Sequence, residues 1–245
     1  MPKAYLELED ITKLEAAATC VRDQLLIRLL FWSGCRISEA LGIRVEDIDF
    51  DQGIVTIKHL KTRIRLTCPD CGTRLSRQAK FCPGCGKQVP APVRRQQESH
   101  RVRQVPIDKQ TLDMMKGFIE RGNAVNRNGQ RLVFGIGRTQ AWKVVHDCAQ
   151  KAGITGLVNP ETGRMRGVSP HRLRDSFATM AIQVDDSTDS VRLLQEQLGH
   201  ANIGTTLRYR KIAGAEHREW YEKLLSRKSQ PLSAKADSLS LPHQG

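Results

Sequence analysis

The chain has 245 residues, 39% of them hydrophobic and 27% charged, with a formal net charge of +13; this suits one sizeable domain with a small module attached and excludes wholesale disorder. The longest apolar run, residues 25–32, is interrupted by Arg28 and falls well short of the ~20 residues of a membrane span, and the opening MPKAYLELED lacks a secretory core, so no membrane association and a cytoplasmic location are expected. The excess positive charge calls for a polyanionic partner, nucleic acid being the expected one.

Taken in order, the elements are first helical. Glu9 and Asp10 open a helix with Ile11, Leu14 and Ala17 on one face. Residues 21–33 carry Leu25, Leu26, Leu29 and Leu30 at helical spacing and predict a buried helix. Residues 33–36, Ser-Gly-Cys-Arg, break it, and 37–41 restart a short helix. The period then changes. Ile48 and Phe50, the turn Asp51-Gln52-Gly53 and the run Ile54-Val55-Thr56-Ile57 predict a β-hairpin. Residues 101–107 alternate as a strand beyond a cysteine-rich stretch, which is therefore expected as an insertion, 64–98, between two strands; residues 89–93, Val-Pro-Ala-Pro-Val, are its stiff exit.

Helices follow. Asp108 caps one running through Met114, Met115 and Ile119, and residues 139–152 form another stopped by Gly153. Ser169-Pro170 opens a helix to residue 182, with proline at its first turn. Residues 191–198 end at Gly199, 215–225 read as a last amphipathic helix, and 226–245 as a disordered tail.

Seven cysteines, an odd number without a signal peptide, argue against a secreted disulfide framework. Cys68-Pro-Asp-Cys71-Gly and Cys82-Pro-Gly-Cys85-Gly are two CxxC knuckles whose four thiolates suit one tetrahedral, structural Zn²⁺; two separate redox pairs are the alternative. Cys20, Cys35 and Cys148 lie in helical segments and are expected as small core residues. From Lys58 to Lys109 there are 13 Lys+Arg against 3 Asp+Glu, a net of +10, leaving +3 for the rest of the chain. Arg74, Arg77, Lys80, Arg94 and Arg95 are accordingly expected to contact DNA phosphates. Aromatics at 5% argue against base-stacking platforms.

Three segments resemble the tyrosine recombinase (phage integrase) family: Ser33-Gly34-Cys35-Arg36-Ile37-Ser38-Glu39, His171-Arg172-Leu173-Arg174, and Leu198-Gly199-His200 followed nine residues later by Tyr209. The likeness covers roughly residues 1–225, interrupted by the cysteine module. It implies an α+β, mainly α catalytic domain with a small antiparallel sheet, and DNA strand cleavage through a 3′-phosphotyrosine without ATP or a catalytic metal. On that resemblance Arg36 and Arg174 grip the scissile phosphate, His171 and His200 position it and move protons, and Tyr209 attacks. The residue types fit: guanidiniums stabilise oxyanion charge as it develops, while a phenol, with an ordinary pKa of ~10, needs help to lose its proton. The family's general-acid lysine lies on a β-hairpin, which implies Lys61, with Lys58 as the competing choice. Tyr221 is the rival nucleophile, in an acid-flanked helical setting unsuited to a phosphate.

The chain starts at about the first catalytic-domain helix. The family's N-terminal DNA-clamping domain is thus expected from a partner chain, or its grip from the cysteine module. The expected partners are double-stranded DNA and further protomers assembled on it, with residues 215–225 docking on a neighbour. Two other readings stay open: a type IB topoisomerase-like nicking-closing enzyme, and a non-catalytic zinc-ribbon DNA-binding regulator.

Overall fold

The computed structural model describes the backbone of residues 3–159 and 162–213, and their side chains except those of 59–65, 95–101 and 211–213. The expected helix at 215–225, with Tyr221, and the tail lie outside the described residues. Helices dominate: α1 (Leu8–Ala16), α2 (Val21–Trp32), α3 (Ile37–Ala40), α4 (Lys109–Glu120), α5 (Arg138–Lys151), α6 (Pro170–Val184), α7 (Thr188–Leu198) and α8 (Ile203–Ala213). None is long and apolar enough to cross a membrane.

The α2 helix is the hub. Leu25, Leu26, Ile27, Leu29, Leu30 and Phe31 are all buried; burial on every side is why its apolar residues form no single stripe. Of its two buried charges, Asp23 pairs with Arg22 at 2.7 Å and Arg28 is fully partnered. Its Nη1 meets Glu15 at 3.1 Å, Nη2 meets Asp108 at 3.0 Å, and Nε donates to Thr111 Oγ1 at 2.8 Å, as a buried cation requires. Asp108 also caps α4 by accepting from Thr111 N at 3.0 Å.

The main sheet consists of β1 (Ile48–Asp49), β2 (Ile54–Thr67), β3 (Arg74–Leu75) and β4 (Val93–Pro106). The β2 strand is its centre, pairing antiparallel with β1 and β3 at its two ends and with β4 along its whole length, from Ile54↔Pro106 to Thr67↔Val93. Val55, Ile57, Val105 and Ile107 fasten the root of this β2–β4 ribbon into the core. The distal strand stretches carry no comparable apolar alternation, so the expected strands stopped early at residues 57 and 101. Backbone pairing continues regardless, and Arg94 and Arg95 lie on β4. Two short hairpins escaped the sequence reading: β5 (Val125–Arg127) with β6 (Gln130–Leu132), and β7 (Leu157–Val158) with β8 (Met165–Arg166). Asn128-Gly129 at the first turn was the available signal.

There are three cores among the described residues. The largest joins α1 to α5, the ribbon root and the first turn of α6. Ala178, Ile182, Val191, Leu194, Leu198 and Tyr209 make a second between α6, α7 and α8. Cys68, Leu75, Cys82 and Val89 make a third at the ribbon's tip. Cys35 and Cys148 are buried as expected, but Cys20 is exposed, because it caps α2 from outside the helix rather than facing its core side.

Candidate active site

The turn between α2 and α3, helix α6, the turn between α7 and α8, and α8 itself deliver polar side chains to one open cleft. The cleft holds about 440 Å³ and is lined by Arg36, His171, Arg174, His200, Arg208 and Tyr209, among others. Five of the six expected catalytic residues therefore meet. The sixth, Lys61, has a described backbone only, opposite Ser99 in the ribbon. Its rival Lys58 stands opposite Val102, on the other face, and its Nζ is ion-paired with buried Asp47.

Arg174 is held from two directions. It is 2% exposed, on the first turns of α6. Its Nη1 donates to Gly34 O at 2.6 Å and its Nη2 to Leu198 O at 2.7 Å. That leaves the Nε–H and one N–H on each Nη for an anion in the cleft. Burial first, then the charge of Arg36, lowers its pKa to about 10, so it remains a cation at neutral pH. Gly34 has to be glycine for this clamp. Its φ is +60°, and a Cβ there would lie 2.6 Å from Phe177 Cδ1 and 2.8 Å from Leu198 Cδ2.

Arg36 is steered by Glu39, a residue the sequence reading passed over although the first box contains it. Glu39 Oε1 accepts from Arg36 Nη1 at 2.9 Å, and Oε2 accepts from Arg36 N at 2.9 Å. Arg103 of β4 completes the cluster. Its Nη2 donates to Glu39 Oε2 at 2.7 Å and its Nε to Gln197 O at 3.0 Å. Burial pushes the Glu39 carboxyl up, but hydrogen bonds and charge from Arg103, then Arg36, prevail and hold it at about 2. The second glycine with a fixed role is Gly199, at φ +65°; a Cβ there would sit 2.8 Å from Arg103 Nη1. It ends α7 so that His200 N–H can bond back to Gln195 O at 3.0 Å.

His200 Nδ1 lies 2.9 Å from Thr206 Oγ1 on α8. Burial, then the nearby Arg174 and Arg36, depresses its pKa to about 4, so the ring is neutral at pH 7 and its Nε2 is left for the cleft. The ring stacks near Tyr209, with centroids 6.3 Å apart and 14° between planes. Tyr209 is 8% exposed. Its hydroxyl donates to Asp175 Oδ1 at 2.9 Å. Burial, then Asp175, pushes the phenol well above its ordinary range, against the pull of Arg174 and Arg208. Asp175 was also missed; its signal was its place directly after Arg174 and one helical turn, four residues, past His171. Its carboxylate lies 3.9 Å from His171 Nε2 and 3.5 Å from Arg172 Nη1. The α8 helix itself was not foreseen, since residues 203–213 have only a weak apolar face.

The profile of the phage integrase family matches residues 4–70 and 89–216. The chain belongs to the phage integrase family. The internal gap in this match, residues 71–88, holds three of the four module cysteines. Among curated relatives of this family member, tyrosine recombinase XerA of Pyrococcus furiosus is 26% identical over 227 residues, 91% of this chain and 62% of its own length. Tyrosine recombinase XerD of Mycobacterium tuberculosis is 30% identical over 226 residues, 85% of this chain and 56% of its own length. The chain thus spans about 60% of the length of the curated relatives it matches. In fold it is similar to the XerA recombinase crystal structure, with a TM-score of 0.59, 19% identity, and coverage of 94% of this chain and 64% of that one. It is also similar to the catalytic domain of bacteriophage HP1 integrase, with a TM-score of 0.51, 20% identity, and coverage of 96% and 99%. The expected α+β, mainly α fold with small antiparallel sheets is the observed one.

The four module cysteines form a separate cluster at the ribbon tip. Their sulfurs all lie within 4.8 Å of one another. Cys68 Sγ to Cys85 Sγ is 3.8 Å and Cys71 Sγ to Cys82 Sγ is 3.4 Å. A tetrahedral ion with four bonds of ~2.3 Å to sulfur would space sulfurs by about 3.8 Å, so the set fits one metal ion. The two knuckles repeat the same backbone bonds: Gly72 N to Cys68 O at 3.0 Å, and Gly86 N to Cys82 O at 2.9 Å. Of the expected phosphate contacts, Arg74, Arg77, Lys80 and Arg94 are exposed on this tip and ribbon, away from the cleft, while the Arg95 side chain lies outside the described ones.

Proposed function

We propose that the chain is a tyrosine site-specific recombinase that cuts one strand of duplex DNA, stores the bond as a 3′-phosphotyrosine and rejoins it. The observation that carries this reading is the cleft in which two guanidiniums, a neutral imidazole and a buried phenol converge. Arg36 and Arg174 bind the nonbridging phosphate oxygens and stabilise the charge that builds as phosphorus becomes five-coordinate. Rigid anchoring of Arg174 on two carbonyls favours this, because no reorganisation is needed during the reaction. Tyr209 Oη gives up its proton to the imidazole of His171, whose Nε2 lies 3.9 Å from the Asp175 carboxylate that holds the phenol, and bonds to phosphorus as the bond to the 5′ oxygen breaks. Lys61 gives that oxygen its proton. The reading takes Lys61 over Lys58 because Lys58 is engaged with Asp47 on the opposite face of the ribbon. His200, neutral, donates a hydrogen bond from Nε2 to the phosphate, and His171 lies at the cleft's rim. The resting phenol is protonated and bonded to Asp175, so arrival of the phosphate must draw it away.

The partners in this reading are double-stranded DNA and further protomers assembled on it, with residues 1–225 as the catalytic domain around the inserted module. Relatives in the family are named recombinases, and a solved XerH site-specific recombinase of similar fold is described as bound to its palindromic difH substrate after cleavage. We assign the four cysteines one structural Zn²⁺, which would hold the tip folded and take no part in the chemistry. A nicked duplex that loses its 5′ fragment on cleavage tests the enzyme reading. A covalent protein–DNA adduct on a denaturing gel is expected. Binding without any adduct would favour the non-catalytic regulator, and relaxation of supercoiled DNA by isolated monomers would favour the topoisomerase-like activity.

A further inference from the structure

The ribbon that starts beside the active site is chemically two-faced. Antiparallel register puts directly paired residues on one face, and residues two apart along a strand on the same face. One face begins with Val55↔Val105 and Ile57↔Arg103, over the core. Beyond the core it continues as His59↔Arg101, Lys61↔Ser99, Arg63↔Gln97 and Arg65↔Arg95. With Arg103 this face carries six formal cations and no carboxylate. The opposite face, Lys58↔Val102 through Leu66↔Arg94, is mixed, and the single acid of the two strands, Glu98, stands there opposite Thr62.

Such a face costs folding energy. Like charges directly opposite on a sheet are destabilising, and Arg65↔Arg95 are register partners on a face to which the two strands contribute no acid. An external polyanion would relieve that cost. The ribbon also has reach. Ten residue steps from Ile57 to Thr67 at ~3.3 Å each extend up to about 33 Å, close to one ~34 Å turn of duplex.

Resting on the recombinase reading, we propose that the cationic face of the β2–β4 ribbon is a second DNA-contact surface. It follows the phosphate backbone outward from the reaction centre for up to one turn, and delivers the cysteine tip to flanking duplex. Arg103 ties the root of this surface to Glu39 and thereby to the phosphate-binding Arg36. The contacts are to phosphates, so they add affinity and reach without base selection.

The test uses the full chain and arbitrary-sequence duplexes of 12 and 36 base pairs. The slope of log K against log salt is measured for the wild type, for R63Q/R65Q/R95Q and for R63K/R65K/R95K. Each phosphate contact contributes ~0.9 to the slope. The wild type should show a steeper slope on the long duplex, and the Gln variant should lose about 2 to 3 of it there and little on the short one. The Lys variant should keep the slope, since point charges suffice for phosphates. The Gln variant should melt no lower than the wild type, because like-charge repulsion is relieved. An unchanged long-duplex slope in the Gln variant, or loss of the slope in the Lys variant, overturns the proposal. Adduct formation on a short nicked substrate does not involve these three residues. An adduct with an unchanged slope therefore sinks the ribbon proposal alone, and no adduct sinks the recombinase reading itself.

Discussion

Asp175 should act as a brake on Tyr209. Its carboxylate accepts the phenol proton's hydrogen bond at 2.9 Å and is one cause of the raised phenol pKa, after burial. A carboxylate is a poor acceptor for the proton itself, since ordinary Asp and Tyr pKa values differ by about 6 units; it therefore stabilises the protonated, unreactive form. Asp175→Asn keeps an oxygen acceptor in place and removes the charge. Hydrogen bonds to charged groups are worth about 1.5–3 kcal/mol and neutral ones about 0.5–1.5. Losing the difference, on the order of 1.4 kcal/mol, lowers the phenol pKa by about one unit. The other charges facing the hydroxyl, Arg174 and Arg208, already favour the phenolate and remain. The partly exposed Arg172–Asp175 pair lost in the variant is worth at most about 1 kcal/mol. The assay is single-turnover cleavage of a nicked substrate from pH 6.5 to 8.5. Both proteins should gain rate with pH, and Asp175→Asn should be about tenfold faster at each pH. An equal or slower rate would refute the brake, and a slower rate with a flattened profile would instead make Asp175 a proton acceptor.

Other outcomes follow from the same geometry. Arg174→Ala should slow cleavage ~10²–10³-fold, measured as the single-turnover rate at saturating DNA, with a far smaller change in DNA affinity. His200 titrates at about 4 in the folded chain, below its unfolded value of ~6.5. The unfolded chain therefore binds the proton first, and stability present above pH 6.5 is lost as pH falls toward 4, by at most about 3 kcal/mol; urea titrations of the wild type and His200→Gln should diverge in stability across that window and nowhere above it. Cys71→Ser, or a strong chelator, should unfold the tip, detected as faster amide exchange in residues 68–89, while the separate cores around α2 and α6 keep their protection.

Much of the site could be read from the chain because its chemistry comes in short local boxes. Arg36, His171, Arg174, His200 and Tyr209 stand in three runs that together, in order, resemble the family's boxes, whereas the two cysteine knuckles are legible from residue type and spacing alone. What escaped reading depends on distant partners. Glu39 gains its role from Arg103, 64 positions away, and Asp175 from Tyr209, 34 positions away; neither pairing leaves a periodic trace. The distal ribbon escaped for a different reason. Its strands are paired by backbone bonds beyond the core, where no apolar alternation is required to hold them. Helix α8 was hidden because its buried contacts are few, chiefly Thr206 and Tyr209. Cys20 was misread as core because its position one residue before α2 turns it outward.

The most direct measurement is to trap the protein on a nicked duplex, digest the adduct and identify the DNA-bearing residue by mass spectrometry. The account predicts a phosphodiester remnant on Tyr209, complete loss of the adduct in Tyr209→Phe with DNA binding nearly unchanged, and an adduct retained in Tyr221→Phe. Attachment at Tyr221, or an adduct that survives Tyr209→Phe, would contradict it.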